Sequence, residues 1–287
     1  MTLDVSIIGA ADETVTVKVD PARQRAFAEA IGEHRDLYLD GAAARAAGYP
    51  DIPVPPTYHF SLGRERSRLF TLLEDRGVDP LKLLHGEQHF RYAAITHAGD
   101  TLTRRATVSD YFEKKDGALK FIVMETDIRK PDGELVSLAH ETLVLPEAAP
   151  PPGGPKAAQP PLAAQAGALT LGQLRPGAVT REMLARFGPA SGDLNRVHLD
   201  AGAARSAGYD DVFAHGMLSM AWLGRLLTDH VRQERLREFG VRFLALTPVD
   251  AVPVCEGVSL GSGSQHVTLQ VRLENGPATL TGAAKIG

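Results

Sequence analysis

Apolar and polar positions alternate over long runs from His89 to Leu145, in FRYAAITHAGDTL, RRATVSDYF, LKFIVMETDIR and LVSLAHETLVL. A period of two is that of a strand with one buried face. Lys115-Asp116-Gly117 and Pro131-Asp132-Gly133 separate these runs with hairpin chemistry, so the pattern predicts an antiparallel meander. A second set begins at Val241: VRFLALT, VPVCEGVSL, HVTLQVRL and ATLTGAAKI, with Asn275-Gly276 as a turn. Upstream of each set the period is helical. Pro21 to Ile31 predicts a helix, with Asp20 as N-cap and Pro21 at its first position. Apolar spacing predicts further helices over Tyr58–Leu73, Thr180–Phe187 and Leu218–Val231. The charged stretch Asp229 to Glu238 reads as a solvated face of the last of these. Each half then pairs one long helix with a meander, an α+β layout in which the helix covers the apolar face of the sheet.

Between the two sets the chain reads PEAAPPPGGPKAAQPPLAAQAG, a composition that favours extended backbone and offers little to a core. The expected organisation is a first domain over 1–146, a linker over 147–167 and a second domain over 168–287. With 44% hydrophobic and 23% charged residues, both domains can bury a core. A net charge of -4 makes nucleic acid a poor partner. No run approaches the ~20 apolar residues that cross a bilayer, and the first residues lack the basic stretch of a signal peptide. Cys255 is the one cysteine, which excludes an intramolecular disulfide and fits a cytoplasmic protein. It lies in an apolar run and reads as a buried structural residue.

The two halves repeat one another. AIGEHRDLYLDGAAARAAG (30–48) aligns without a gap to ASGDLNRVHLDAGAARSAG (190–208), an offset of 160, and YPDIPVPPTY continues against YDDVFAHGML. The copies differ where chemistry would sit. The second has Asp193, Asn195, His198, His215 and Gly216; the first has Glu33, Arg35, Tyr38, Pro55 and Pro56. One working site per chain is expected, in the second half, with the first half as a supporting copy. Asp200 recurs as Asp40 and is therefore expected to be a helix cap.

Asp193 and His198 are five residues apart on a Gly/Asp/Asn loop, from which both can converge on one water. A carboxylate and an imidazole around a water form an acid–base pair suited to adding water across a double bond. Asn195 can orient the loop. Ala214-His215-Gly216-Met217 opens the long helix, whose first N–H groups lack internal partners. With Gly216 permitting close approach, those donors could hold an oxygen that gains negative charge, and His215 would cap or orient. Singly, each residue has a structural explanation, a cap for Asp193 and a core position for either His. His85-Gly86 shows that His-Gly by itself means little. The joint pattern carries the reading.

ASGDLNRVHLDAGAARSAGYDDVFAHGM resembles the hydratase motif of the MaoC-like (R)-specific enoyl-CoA hydratases. The first half, with YLDGAAARAAGYPDIPVPPTY and LHGEQHFRYAAITHAGDTL, resembles the dehydratase-type hotdog domain that precedes such domains. The resemblance implies a double hotdog, two antiparallel sheets each wrapped around a long helix and set side by side as a pseudo-dimer. It implies a lyase of acyl-CoA and fatty acid metabolism that hydrates a 2-enoyl-CoA to an (R)-3-hydroxyacyl-CoA, or the reverse. Asp193 and His198 would activate the water and the Gly216 N–H would hold the thioester carbonyl, with no metal and no cofactor. The partner it implies is an acyl-CoA or acyl-carrier-protein thioester, with no nucleic acid and no membrane; pairing into a homodimer is left open. Arg196 departs from the family pattern, which has Pro after the motif Asn. A charge there could meet a phosphate or carboxylate of the substrate. Two other functions fit the same fold: an acyl-CoA thioesterase and a non-catalytic acyl-thioester-binding subunit.

Overall fold

The computed structural model describes residues 3–147, 160–163, 168, 170–259 and 265–287. Most of the expected linker, 147–167, therefore lies outside the described residues.

In the first half, β1 (Val15–Lys18) leads into α1 (Pro21–Ala30), and α2 (Gly41–Ala46) and α3 (Leu69–Asp75) precede the strands β2 (Leu84–Tyr92), β3 (Thr101–Lys114), β4 (Leu119–Arg129) and β5 (Leu135–Pro146). The second half repeats this order with β6 (Thr170–Leu174), α4 (Arg181–Ser191), α5 (Ala201–Ser206), α6 (Gly216–His230), β7 (Leu236–Phe243), β8 (Pro253–Ser259), β9 (His266–Leu273) and β10 (Ala278–Ile286). The caps follow the sequence. Asp20 accepts from the Ala22 N–H at the head of α1, while Asp40 and Asp200 cap α2 and α5 in the same way. The hairpin turns fall where expected, with Lys115, Asp116 and Asn275 in the left-handed region.

All ten strands form one antiparallel sheet in the order β1-β3-β4-β5-β2-β7-β10-β9-β8-β6. The two meanders are thus not separate sheets. They join edge to edge through β2 and β7, in a register that pairs Phe90 with Phe239 and sets Glu87 opposite Arg242 and Arg91 opposite Glu238. This join is symmetric, as expected of two copies of one fold, and it removes two exposed edges. A single apolar core runs through both halves and includes Phe27, Tyr58, Phe90, Phe187, Trp222 and Phe239. A smaller one lies under α3, around Leu69, Leu73 and Ile122.

The halves are not equal. In the second, α6 is a continuous helix buried on most of its faces that packs on β6, β8 and β9. The long helix expected over Tyr58–Leu73 does not form. The chain makes 3-10 turns over Pro56–Ser61 and Arg64–Arg66, and only then α3. Gly63 breaks it, with a φ of 65° that ends a right-handed helix, and a Cβ there would meet the Val17 side chain of β1 at 2.7 Å. Three further expectations are corrected. The β pattern expected from His89 onward belongs to β2, which already begins at Leu84 and stops at Tyr92, where the Ala93 and Ala94 N–H groups both turn to the Val136 carbonyl. VRFLALT is a strand only to Phe243, because Leu244 and Ala245 likewise both donate to the Thr279 carbonyl. The charged stretch Asp229–Glu238 is no helix face: α6 ends at His230 and a short turn leads into β7.

Candidate active site

The site lies where the loop after α4 meets the head of α6. Gly192, in the left-handed conformation, closes α4 and turns the chain so that Asp193 and Asn195 lead into the 3-10 turn Arg196–His198. The Asn195 Oδ1 accepts from the Val197 N–H and caps this turn. Its Nδ2 donates to the Pro80 carbonyl of the first half at 2.9 Å, so the loop is anchored across the pseudo-dimer.

Asp193, His198 and His215 come together, each offering an atom within 4.8 Å of the others. The His198 and His215 ring centroids are 4.1 Å apart. Their hydrogen bonds fix their tautomers. The His198 Nδ1 faces the Phe213 carbonyl at 2.9 Å and must donate to it, which leaves a lone pair on Nε2. The His215 Nε2 likewise donates to the Asp193 carbonyl at 3.1 Å, and the buried Nδ1 has no hydrogen-bond partner among the described residues. His215 therefore holds the backbone of the loop that carries Asp193.

Burial works against the charge of Asp193, but His215, His198, Arg64 and the Asn195 N–H outweigh it and hold the carboxyl down at about 2. Burial also lowers His198, and drives His215 down to about 3. At neutral pH the set is an ionised carboxylate beside uncharged imidazoles. The Asp193 oxygens and the His198 Nε2 are acceptors, so a water between them would donate both hydrogens and keep its lone pairs free. The same convergence is compact enough for a divalent cation.

Gly216 is the first residue of α6, and the His215 side chain does not cap that helix. The glycine packs under the Phe243 ring of β7; a Cβ would lie 2.9 Å from it. Arg196 is not brought to the site: its guanidinium pairs with Asp200 at 2.6 Å on the exposed side of the turn. The sequence reading missed Arg64, Glu141 and His85, which gather with one another in the first half and interact electrostatically with Asp193. No spacing rule links them to the motif, because the join between the halves brings them there.

The first half's counterpart is closed. Glu33 and Arg35, at the places of Asp193 and Asn195, bond to each other, and Arg35 reaches the Thr228 carbonyl and hydroxyl. Tyr38, in the place of His198, donates to Gln233. A cavity of about 330 Å³ remains nearby, lined by Tyr49, Pro56, His59, Tyr92 and Gln233. Pro56 stands there for Gly216 and has no N–H to give.

Two meanders fused into one sheet, with a buried helix in the second half and one acid–base cluster at its head, define a double hotdog. The solved structure of a MaoC-like dehydratase superposes with a TM-score of 0.77 over 98% of both chains at 20% identity. A double-hotdog protein of Mycobacterium tuberculosis superposes with a TM-score of 0.63 at 14% identity, over 98% of this chain and 96% of the other. In sequence, residues 6–139 match the FAS1-like dehydratase domain region and residues 165–273 the MaoC like domain. A UPF0336 protein of Streptomyces griseus is 33% identical over 145 residues, 50% of this chain and 95% of the relative. The chain belongs to the MaoC-like dehydratase family. Among the described residues no helix is long and apolar enough to cross a membrane.

Proposed function

We propose that this protein is a hydro-lyase that adds water to a 2-enoyl-CoA, giving an (R)-3-hydroxyacyl-CoA, or removes it in the reverse direction. The observation that carries the reading is the pairing of ionised Asp193 with a His198 whose Nδ1 is committed to the Phe213 carbonyl. Two acceptors facing one small space suit a water that must lose a proton as its oxygen attacks.

In hydration, the water oxygen bonds to C3 of the enoyl group and the C2–C3 π pair shifts toward the thioester carbonyl. The proton leaves the water for the Asp193–His198 pair and is returned to C2. H and OH are added in sum, and the site ends each cycle in its starting protonation state. As negative charge develops on the thioester oxygen, the N–H groups at the head of α6, with Gly216 allowing close approach, stabilise it. Asn195 and His215 hold the loop in position. Such acid–base assistance is worth roughly 10²–10⁴-fold.

The test follows the loss of enoyl-thioester absorbance with crotonyl-CoA and longer enoyl-CoAs, for the wild type, Asp193→Asn and His198→Ala. Both variants should stay folded and lose ~10²-fold or more in kcat. Dialysis against a chelator should leave the wild-type rate unchanged; a loss restored by zinc would make the cluster a metal centre instead. Release of free thiol without hydration would favour a thioesterase, and tight binding without turnover an accessory subunit.

A further inference from the structure

Arg64 has no part in the reaction as written, yet its side chain is only 13% exposed. Its two terminal nitrogens donate to the two Glu141 oxygens on β5, each at 3.0 Å. The guanidinium lies over Phe60 at 4.0 Å and Phe70 at 4.7 Å. It stands here because the chain breaks at Gly63; at the repeat offset of 160 its counterpart is Gly224, in the middle of α6. The turn that carries it is strapped to the site loop. Arg23 donates to the Ser61 carbonyl and to the Ala190 carbonyl, both at 3.2 Å, and pairs with Glu65. Glu65 in turn reaches over Gly192, next to Asp193.

The strap through Arg23 and Glu65 sets the turn that carries Arg64 against the loop that carries Asp193, and the charges that act on Asp193 are those of His215, His198 and Arg64. Glu141 on β5 and His85 on β2 lie behind Arg64 and also feel Asp193. Burial lowers all three histidines, so none of them carries charge at neutral pH. Arg64 is the permanent cation in this set.

We propose that Arg64 is a positioning residue for the second half's reaction, the fixed positive charge that faces Asp193 while Glu141 holds the guanidinium in place. The role of Arg64 in turnover rests on the hydratase reading above; its effect on Asp193 does not. The break at Gly63 then has a purpose: the supporting copy gives up its long helix and delivers a charge to its neighbour.

If the Arg64–Glu141 pair were only a structural brace, removing either partner would do similar harm. If Arg64 serves Asp193, the two losses differ. The experiment compares kcat, KM and pH profiles for Arg64→Gln, Arg64→Lys and Glu141→Gln in the full chain, with thermal midpoints as the check on folding. Arg64→Gln should lower kcat by about tenfold or more and raise the titration of the Asp193 carboxyl by about one unit, the size of effect a nearby opposite charge has on a carboxyl. Arg64→Lys should recover part of the rate, and Glu141→Gln should lose less than Arg64→Gln. Equal losses at 64 and 141, or an Asp193 carboxyl that titrates alike in wild type and Arg64→Gln, would overturn the proposal. A carbon NMR titration of the Asp193 carboxyl in wild type, Arg64→Gln and Arg64→Lys reads the interaction without turnover, with the lysine variant staying nearer to wild type. It decides the inference even if no enoyl-CoA is hydrated, the outcome that would sink the hydratase reading alone.

Discussion

Two buried histidines, one in each half, show at the level of single residues what it costs to keep an imidazole from water. His215 is held down to about 3 and His59 to about 4, both by burial. The unfolded chain takes up protons on them from about 6.5 downward, and the folded chain does not. Their folded values lie below the unfolded value, so their contribution is complete above pH 6.5 and is lost as pH falls toward 4 and then 3. Each costs about 1.4 kcal/mol per pH unit across that window. The lowered Asp193 acts in the same direction but only below the ordinary aspartate value of 3.8, on the way to about 2. Urea midpoints should therefore fall steadily from pH 6.5 to 4.5, and His59→Gln should flatten the slope. A midpoint that stays level over that range would mean that these histidines are already protonated in the folded protein.

Among the elements, the contact between the head of α6 and β7 matters most. Gly216 fits because the Phe243 ring occupies the place of a side chain. Gly216→Ala should push the ring aside at a cost of about 1–3 kcal/mol. It should lower kcat/KM by roughly tenfold, 1.4 kcal/mol being a factor of ten. Steady-state kinetics with unchanged circular dichroism would check this; full activity would argue that the carbonyl binds elsewhere. Long elements and this motif were legible in the sequence, since α1, α6 and the meander strands extend over enough residues to show their period. The four-residue β1 and five-residue β6 are too short to show one and were not foreseen. Tyr58–Leu73 failed for a different reason. Its apolar spacing is helical, but one glycine against Val17 decides the backbone. Asp193, His198 and His215 were legible because a repeat laid the second half's loop beside a first-half copy that lacks all three. Arg196 misled, since its partner Asp200 lies four residues away on the outer face.

In the whole molecule, the join between β2 and β7 makes the two halves depend on each other. Asn195 is anchored on Pro80, Tyr38 on Gln233, and the core is continuous. A fragment of residues 168–287 would expose the edge of β7 and an apolar face, and should aggregate or show no turnover. Gel filtration and the crotonyl-CoA assay check this; a monomeric, active fragment would show that the first half is dispensable.

The two unequal halves on one polypeptide have a consequence for descent. In a symmetric pair of identical subunits, every substitution is made twice, once at the working loop and once where the neighbour supports it. A change that improves the second role must be tolerated by the first. Tandem fusion lifts that constraint. Residues 33, 35, 38 and 63 could drift into a salt bridge, a tyrosine anchor and a helix break without touching Asp193 or His198. Selection can therefore alter the first half to admit new substrates while the second keeps its chemistry, and substitutions that separate close relatives should accumulate faster in the first half's share of the site.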